Sequence, residues 1–260
     1  MTNNSVTTPK GLEFVEIATA DPATLEQLLQ QLNFRLVGVH RSKAVKLYRQ
    51  GELNLIVNAE SECKLFLNNQ VSGSQIKAFA VKVDDAKLAH EELLHKGAWS
   101  CSSSPGAMEL NIPGIEIIGG SVLYLINNNE NFSIYDIDFT PIPPQDQPSP
   151  VFNKIEALSL SIAPQHYKQW QDLFTQLLHF NIQGDQLISP DQSFRLLLKS
   201  MKDDNITNEG ISAIRLSVQS DNKSALEPFL SDATEDGESF RTLQNFPESI
   251  GFTIEVERHD

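Results

Sequence analysis

Metal binding or proton transfer in this 260-residue chain would fall to six histidines, two cysteines and 34 Asp and Glu residues. Their spacing gathers few of them. His90 and His95 stand five apart on a helical stretch, so they do not share a face as an i, i+4 ligand pair does, and they read as surface groups. Cys63 and Cys101 are too few for a disulfide framework or a cysteine metal site, and Cys101 in SCSSSPG has no neighbouring base to activate it. GIEIIGGS, residues 114–121, has the glycines of a phosphate loop but neither its lysine nor a following helix, which predicts a bulge or tight turn. No G-x-S-x-G nucleophile elbow occurs. His40 opens a basic strip with Arg41, Lys43, Lys46 and Arg49, read as joining domains or subunits rather than binding an anion. Glu156 and Glu255 lie inside apolar strands and read as solvent-facing on alternating positions.

Composition narrows the partners. Forty per cent hydrophobic and 21 per cent charged residues are ordinary for a soluble globular protein. A net charge of −14 argues against nucleic acid, because phosphate binding needs clustered cations. The polar start MTNNSVTTPK carries no leader-like apolar run, and no stretch approaches about 18 consecutive apolar residues. The expectation is a cytoplasmic protein with no membrane partner.

The elements that must position these groups repeat four times. The first unit has the strand FVEIAT, Asp21 as N-cap, Pro22 at the first helical position, and a helix presenting Leu25, Leu28, Leu29 and Leu32 on one face. Three strands follow, FRLVGVH, AVKLYRQ and LNLIVN, with a turn at Gly51. The unit is βαβββ. The second has IKAFAVKV, a helix from Asp85 to Lys96 ended by Gly97, and strands around MELNI and SVLYLI. A proline-rich segment, residues 141–151, suits an extended connection because proline cannot sit inside a sheet. The third unit has IEALSLSI and a helix from Pro164 burying Trp170, Leu173, Phe174, Leu177 and Leu178. The fourth has ISAIRLSV, a short helix near residues 223–230, a polar stretch, and a last strand GFTIEVE. The organisation predicted is an α+β fold of four βαβββ units paired into two domains, 10–140 and 152–260, joined by 141–151.

Three stretches carry a resemblance. HRSKAVKLYRQGELNLIVN (His40 to Asn58), MELNIPGIEIIGGSVLYLI (Met108 to Ile126) and SIYDIDF (Ser133 to Phe139) resemble the amino-terminal domain of 4-hydroxyphenylpyruvate dioxygenase. That family belongs to the vicinal oxygen chelate (glyoxalase, bleomycin resistance and dioxygenase) superfamily, so the resemblance implies paired βαβββ units with the first domain as a scaffold. It also implies an Fe(II) site in the second domain, made by a His from the first strand of the third unit, a His from the first strand of the fourth, and a Glu from the last strand. Those positions align with Ala157, Ala213 and Ile254, none a ligand. The corresponding positions in the first half are Glu13, Ala78 and Tyr124. Arg195, Lys199 and Ser212 align with substrate-side positions and are the ligand-binding candidates. The family also continues past its last strand into a closing helix, whereas the sequence here ends at Asp260.

The resemblance therefore implies a dioxygenase-like protein without its metal ligands and with no cofactor, a non-catalytic homologue. Its expected partners are a small aromatic or 2-oxo acid, further copies of itself, or a full-length relative for which it would be a structural subunit. The alternative is a working Fe(II) oxygenase with a rearranged site, Glu156, Glu255 and His259.

Overall fold

The computed structural model describes residues 5–60, 73–101, 109–129, 133–143, 149–202, 209–219, 226–230 and 240–257. Within them the repeated order is visible. The first repeat runs β1 (Leu12–Thr19), α1 (Pro22–Gln31), β2 (Arg35–His40), β3 (Val45–Gln50) and β4 (Leu53–Asn58). The second runs β5 (Ser74–Val83), α2 (Ala86–His95), β6 (Trp99–Ser100), β7 (Gly114–Glu116) and β8 (Val122–Asn127). After α3 (Tyr135–Asp138) and β9 (Phe139–Pro141), the third runs β10 (Phe152–Ile162), α4 (Tyr167–Asp172), β11 (Asn181–Gln183), β12 (Gln186–Ile188) and β13 (Arg195–Ser200). The fourth contributes β14 (Gly210–Val218), β15 (Phe240–Thr242) and β16 (Thr253–Glu257). The fold is α+β, and no described helix is long and apolar enough to cross a membrane.

Local chemistry accounts for the two regular helices. The Asp21 carboxylate accepts from the Thr24 backbone N–H at 3.2 Å and the Asp85 carboxylate from that of Leu88 at 2.9 Å, each satisfying an amide that the helix leaves unpaired. Leu25, Leu28, Leu29 and Leu32 are buried along α1. Burial of each such side chain contributes about 1.5–3 kcal/mol as an upper estimate. The third-repeat helix differs. It starts as a 3-10 turn at Pro164–His166 without a side-chain cap and widens into a π-helix over Leu173–Leu177. Trp170, Phe174 and Leu178 are buried, whereas Leu173 and Leu177 are only half-buried. The wider turn keeps residues four apart on one line and rotates the two leucines off the face.

The chain forms two compact units: Met1–Val15 with Lys77–Asp138 and Ser159–Ile211, and Glu16–Ile76 with Phe139–Leu158 and Ser212–Asp260. Each draws on both halves of the sequence. In the first unit β5 pairs in parallel with β8, β8 with β7 and β7 with β6, while β11, β12 and β13 form an antiparallel meander. Its core includes an edge-to-face series in which Phe180 meets Phe174 at 5.9 Å and Phe194 at 5.6 Å. In the second unit β4, β3, β2 and β9 pair antiparallel in that order, and β14 pairs in parallel with β16, which pairs antiparallel with β15. Phe34 and Phe152 meet there at a tilt of 31° with centroids 6.1 Å apart.

Three expectations change. The strand expected around MELNI falls outside the described residues at Met108, and residues 109–113 are not a strand. The Leu110 amide donates to the Asp138 carboxylate at 3.1 Å instead of to a ladder, and the strand forms one step later, at Gly114–Glu116. Pro141 does enter a sheet, as the last residue of β9 opposite Gly38, on a short strand whose other edge is unpaired among the described residues. Phe240–Thr242, read as part of a polar stretch, is a strand on β16. The turn expected in GIEIIGGS is present, with Gly119 and Gly120 at φ +61° and +73°. A Cβ on Gly119 would stand 2.1 Å from the Glu209 carbonyl oxygen, so close approach as well as conformation requires glycine there.

Candidate functional site

The parallel pairing of β14 with β16 decides which side chains share a side. Ala213 is opposite Thr253, Ile214 opposite Ile254, and Arg215 opposite Glu255. Side chains alternate along a strand and registered partners project the same way, so Ala213, Arg215, Thr253 and Glu255 lie on one side of this pair and Ile254 on the other. The first half offers an internal check. Tyr124 is opposite Ala80, two residues on from Ala78, on the parallel pair β5–β8. The same step taken from Ala213 leads to Arg215 and its partner Glu255, not to Ile254.

Glu255 is buried, with 3% of its surface exposed. Its Oε2 accepts from Arg215 Nε at 3.0 Å and Nη2 at 2.8 Å, and the Arg215 side chain is itself only 12% exposed. Phe240, reaching over from β15, covers the guanidinium with its ring centroid 3.7 Å from Cζ. Ala157 and Ala213 are buried and bring no donor atom. Ala157 alternates with Glu156 along β10, which neighbours β14 in the sheet. Glu156 is 8% exposed and is paired with Lys154 Nζ at 2.8 Å.

Neither glutamate faces solvent as expected. Alternation along a strand fixes only which residues share a face, and both sides of β14 and β16 carry buried positions. Each carboxylate is buried with a cation beside it, the arrangement that buried charge requires. Sequence reasoning, which read Phe240 only as a possible filler of the sheet's concave side, missed Arg215 and the contact between the two. The available signal was a lone arginine inside the apolar strand ISAIRLSV, two residues past the aligned Ala213.

The ligand-binding candidates fall elsewhere. Arg195 and Lys199 share one side of β13 but are exposed, with Leu196, Leu197 and Leu198 buried between them, so β13 does not present them inward as expected. Ser212, in the other compact unit, is half-buried and its carbonyl accepts from Thr253 Oγ1 at 3.5 Å. His259 and Cys63 lie outside the described residues. Among the described residues no group of three or more His, Cys, Asp or Glu is placed to hold a metal ion.

His40, His90, Lys46 and Arg49 make contacts within the fold. His40 Nδ1 accepts from the backbone N–H groups of Ser42 and Lys43, each at 3.2 Å, and its ring meets Phe139 edge-on. His90 Nε2 is 3.1 Å from the Gly114 carbonyl, tying α2 to β7. In the basic strip Lys46 reaches both Glu26 oxygens at 2.8 and 2.9 Å, and Arg49 Nε donates to Asn54 at 2.7 Å. Beside Glu26, the Tyr48 phenol is pushed up from its ordinary pKa by burial first and by the Glu26 charge second.

Comparison with known proteins agrees with this architecture. Residues 3–140 match the family described as hydroxyphenylpyruvate dioxygenase, HPPD, N-terminal. Among curated proteins the chain is 37% identical over 174 residues to a 4-hydroxyphenylpyruvate dioxygenase of Pseudomonas sp. (strain P.J. 874), covering 65% of this chain and 48% of that protein. It is 33% identical over 184 residues to a 3-dehydroshikimate dehydratase of Pseudomonas aeruginosa, covering 70% of this chain and 29% of that one. The chain thus spans about half the length of the first relative and under a third of the second. Among solved structures, a xylose isomerase-like TIM barrel/4-hydroxyphenylpyruvate dioxygenase fusion protein superposes with a TM-score of 0.76 at 20% identity. That match covers 99% of this chain and 50% of the fusion protein, and it shows that the two share a fold.

Proposed function

This chain belongs to the hydroxyphenylpyruvate dioxygenase family, and from that premise we propose that it is a member without an iron centre, a non-catalytic homologue that binds a small aromatic or 2-oxo acid or holds a partner in an assembly. One observation carries the reading: the buried glutamate that shares a side with Ala213 is already neutralised by Arg215. A non-haem Fe(II) oxygenase needs two neutral imidazoles and a carboxylate on one face of the metal, with open positions for the keto acid and oxygen. Alanine at 157 and 213 supplies no nitrogen, and the Glu255 oxygen nearest the guanidinium is occupied by two N–H donors. The residues present do not fit Fe(II), so no cofactor is expected and no oxygenase step is derived. The rearranged set is no better supported, because Glu156 and Glu255 each have a cation of their own.

The test is elemental mass spectrometry on protein purified without chelator, with an Fe(II) titration and oxygen uptake on 4-hydroxyphenylpyruvate. The expected result is no stoichiometric metal and no oxygen consumption. Near-stoichiometric iron with turnover would remove the reading. The assembly role has its own support, since proteins similar over most of this chain carry it as a fraction of a longer polypeptide, in one case beside a TIM barrel. Copurification with such an enzyme would select that role over ligand binding. Low cysteine content suits a reducing, cytoplasmic compartment, and the acidic charge suits solubility.

A further inference from the structure

We infer that the Arg215 guanidinium has taken over the charge that a divalent cation would bring to Glu255, so that Arg215 in this position and a metal on Glu255 exclude each other. This rests on the reading of the protein as metal-free and deepens it, from missing ligands to an occupied site. A buried carboxylate requires a counter-charge, and loss of a metal alone would leave Glu255 uncompensated. Arg215 supplies that charge from the position opposite Glu255 in the register, with two donors on one oxygen. Phe240 then fixes the guanidinium plane from β15, the strand on the other side of β16, so the cation is held from two strands. Lysine, with a point charge on a flexible stem, would use neither the paired donors nor the stacked face. A divalent ion on the same carboxylate would stand beside a fixed positive charge. One unit charge at such range shifts an ionisation by about 1–3 units, or roughly 10- to 1,000-fold in affinity.

The experiment restores the two aligned imidazoles and varies only the arginine. Cobalt(II) binding, followed by visible absorption and by calorimetry, is compared for the natural chain, for A157H/A213H, and for A157H/A213H/R215M, with circular dichroism as the check on folding. The expected result is one cobalt per chain in the triple variant and binding weakened at least about tenfold in the double variant. Equal binding by double and triple variants would overturn the inference while leaving the metal-free reading intact. Binding by the natural chain would overturn the metal-free reading itself. A folded triple variant that binds nothing would also overturn the inference, because Glu255 would then not be a metal position. If the triple variant does not fold, R215M alone is unfolded thermally with and without cobalt. A midpoint raised by cobalt in R215M and not in the natural chain supports the exclusion, and an equal response or none in R215M sinks it.

Discussion

Two parallel strand pairs occupy the same place in the second and fourth repeats, β5 with β8 and β14 with β16, and they treat charge in opposite ways. On the first pair the central positions are apolar or aromatic, Ala78, Ala80 and Tyr124, and the nearby ion pair between Lys82 and Glu13, at 3.1 Å, has its lysine 39% exposed. On the second, an arginine and a glutamate are sealed in with an aromatic ring across them. A buried ion pair seldom outperforms well-packed apolar residues in stability, because two desolvation costs offset the attraction. The first pair shows that this slot folds without one. The charge on the second pair therefore belongs to the history or task of the site rather than to the needs of the fold.

That contrast can be broken in order of size. Arg215→Ala should leave Glu255 buried without its cation and cost about 3–5 kcal/mol, a fall in unfolding midpoint of roughly 6–20 °C for a domain-sized unit, read by calorimetry. Replacing both partners, R215L/E255L, should instead be neutral or stabilising by up to about 4 kcal/mol. A double variant as damaged as R215A would mean that the pair is structural after all. Lys82→Ala on the first pair should cost no more than about 1 kcal/mol, and the cost should shrink with added salt, because that lysine is partly solvated. The smallest effect concerns the helices beside the strands. Asp21 caps α1, and hydrogen bonds from Thr24 hold its carboxyl below the usual carboxylate range, whereas α4 has no side-chain cap. A carboxyl lowered on folding contributes stability that is present above its unfolded pKa and is lost as pH falls through the folded one. Asp21→Asn keeps the cap, so the difference in unfolding midpoint between the two proteins should diminish on acidification below about pH 4.

What the sequence revealed and what it hid follow one physical line. Caps, leucine stripes and β-branched runs act within a turn or two, and Asp21, Asp85 and the strands of the first repeat were legible for that reason. The site depends on register, which joins residues 40 apart in the case of Arg215 and Glu255. A period of two says that Glu255 and Ile254 face opposite ways, but only the pairing with β14 says which of them accompanies Ala213. Burial of Glu156 hid in the same manner. Arg195 and Lys199 read as inward by resemblance, yet the triple leucine between them carries the burial while both charges are exposed. In MELNI, apolar composition predicted a strand where a single carboxylate, Asp138, offered the backbone another partner.

Gln50, at the end of β3, spends both ends of its buried carboxamide: Nε2 donates to the Leu32 carbonyl at 2.7 Å, and Oε1 accepts from the backbone N–H groups of Val151 and Phe152 at 2.8 and 2.6 Å. Two of those partners lie 101 and 102 residues downstream. During synthesis at about 5–20 residues per second, the carboxamide therefore waits roughly 5–20 s on the ribosome before they emerge. For that interval the carboxamide oxygen bonds to water, and it exchanges that water for the two amides only later. The native lining of Gln50 is thus completed late in synthesis, only once Val151 and Phe152 arrive.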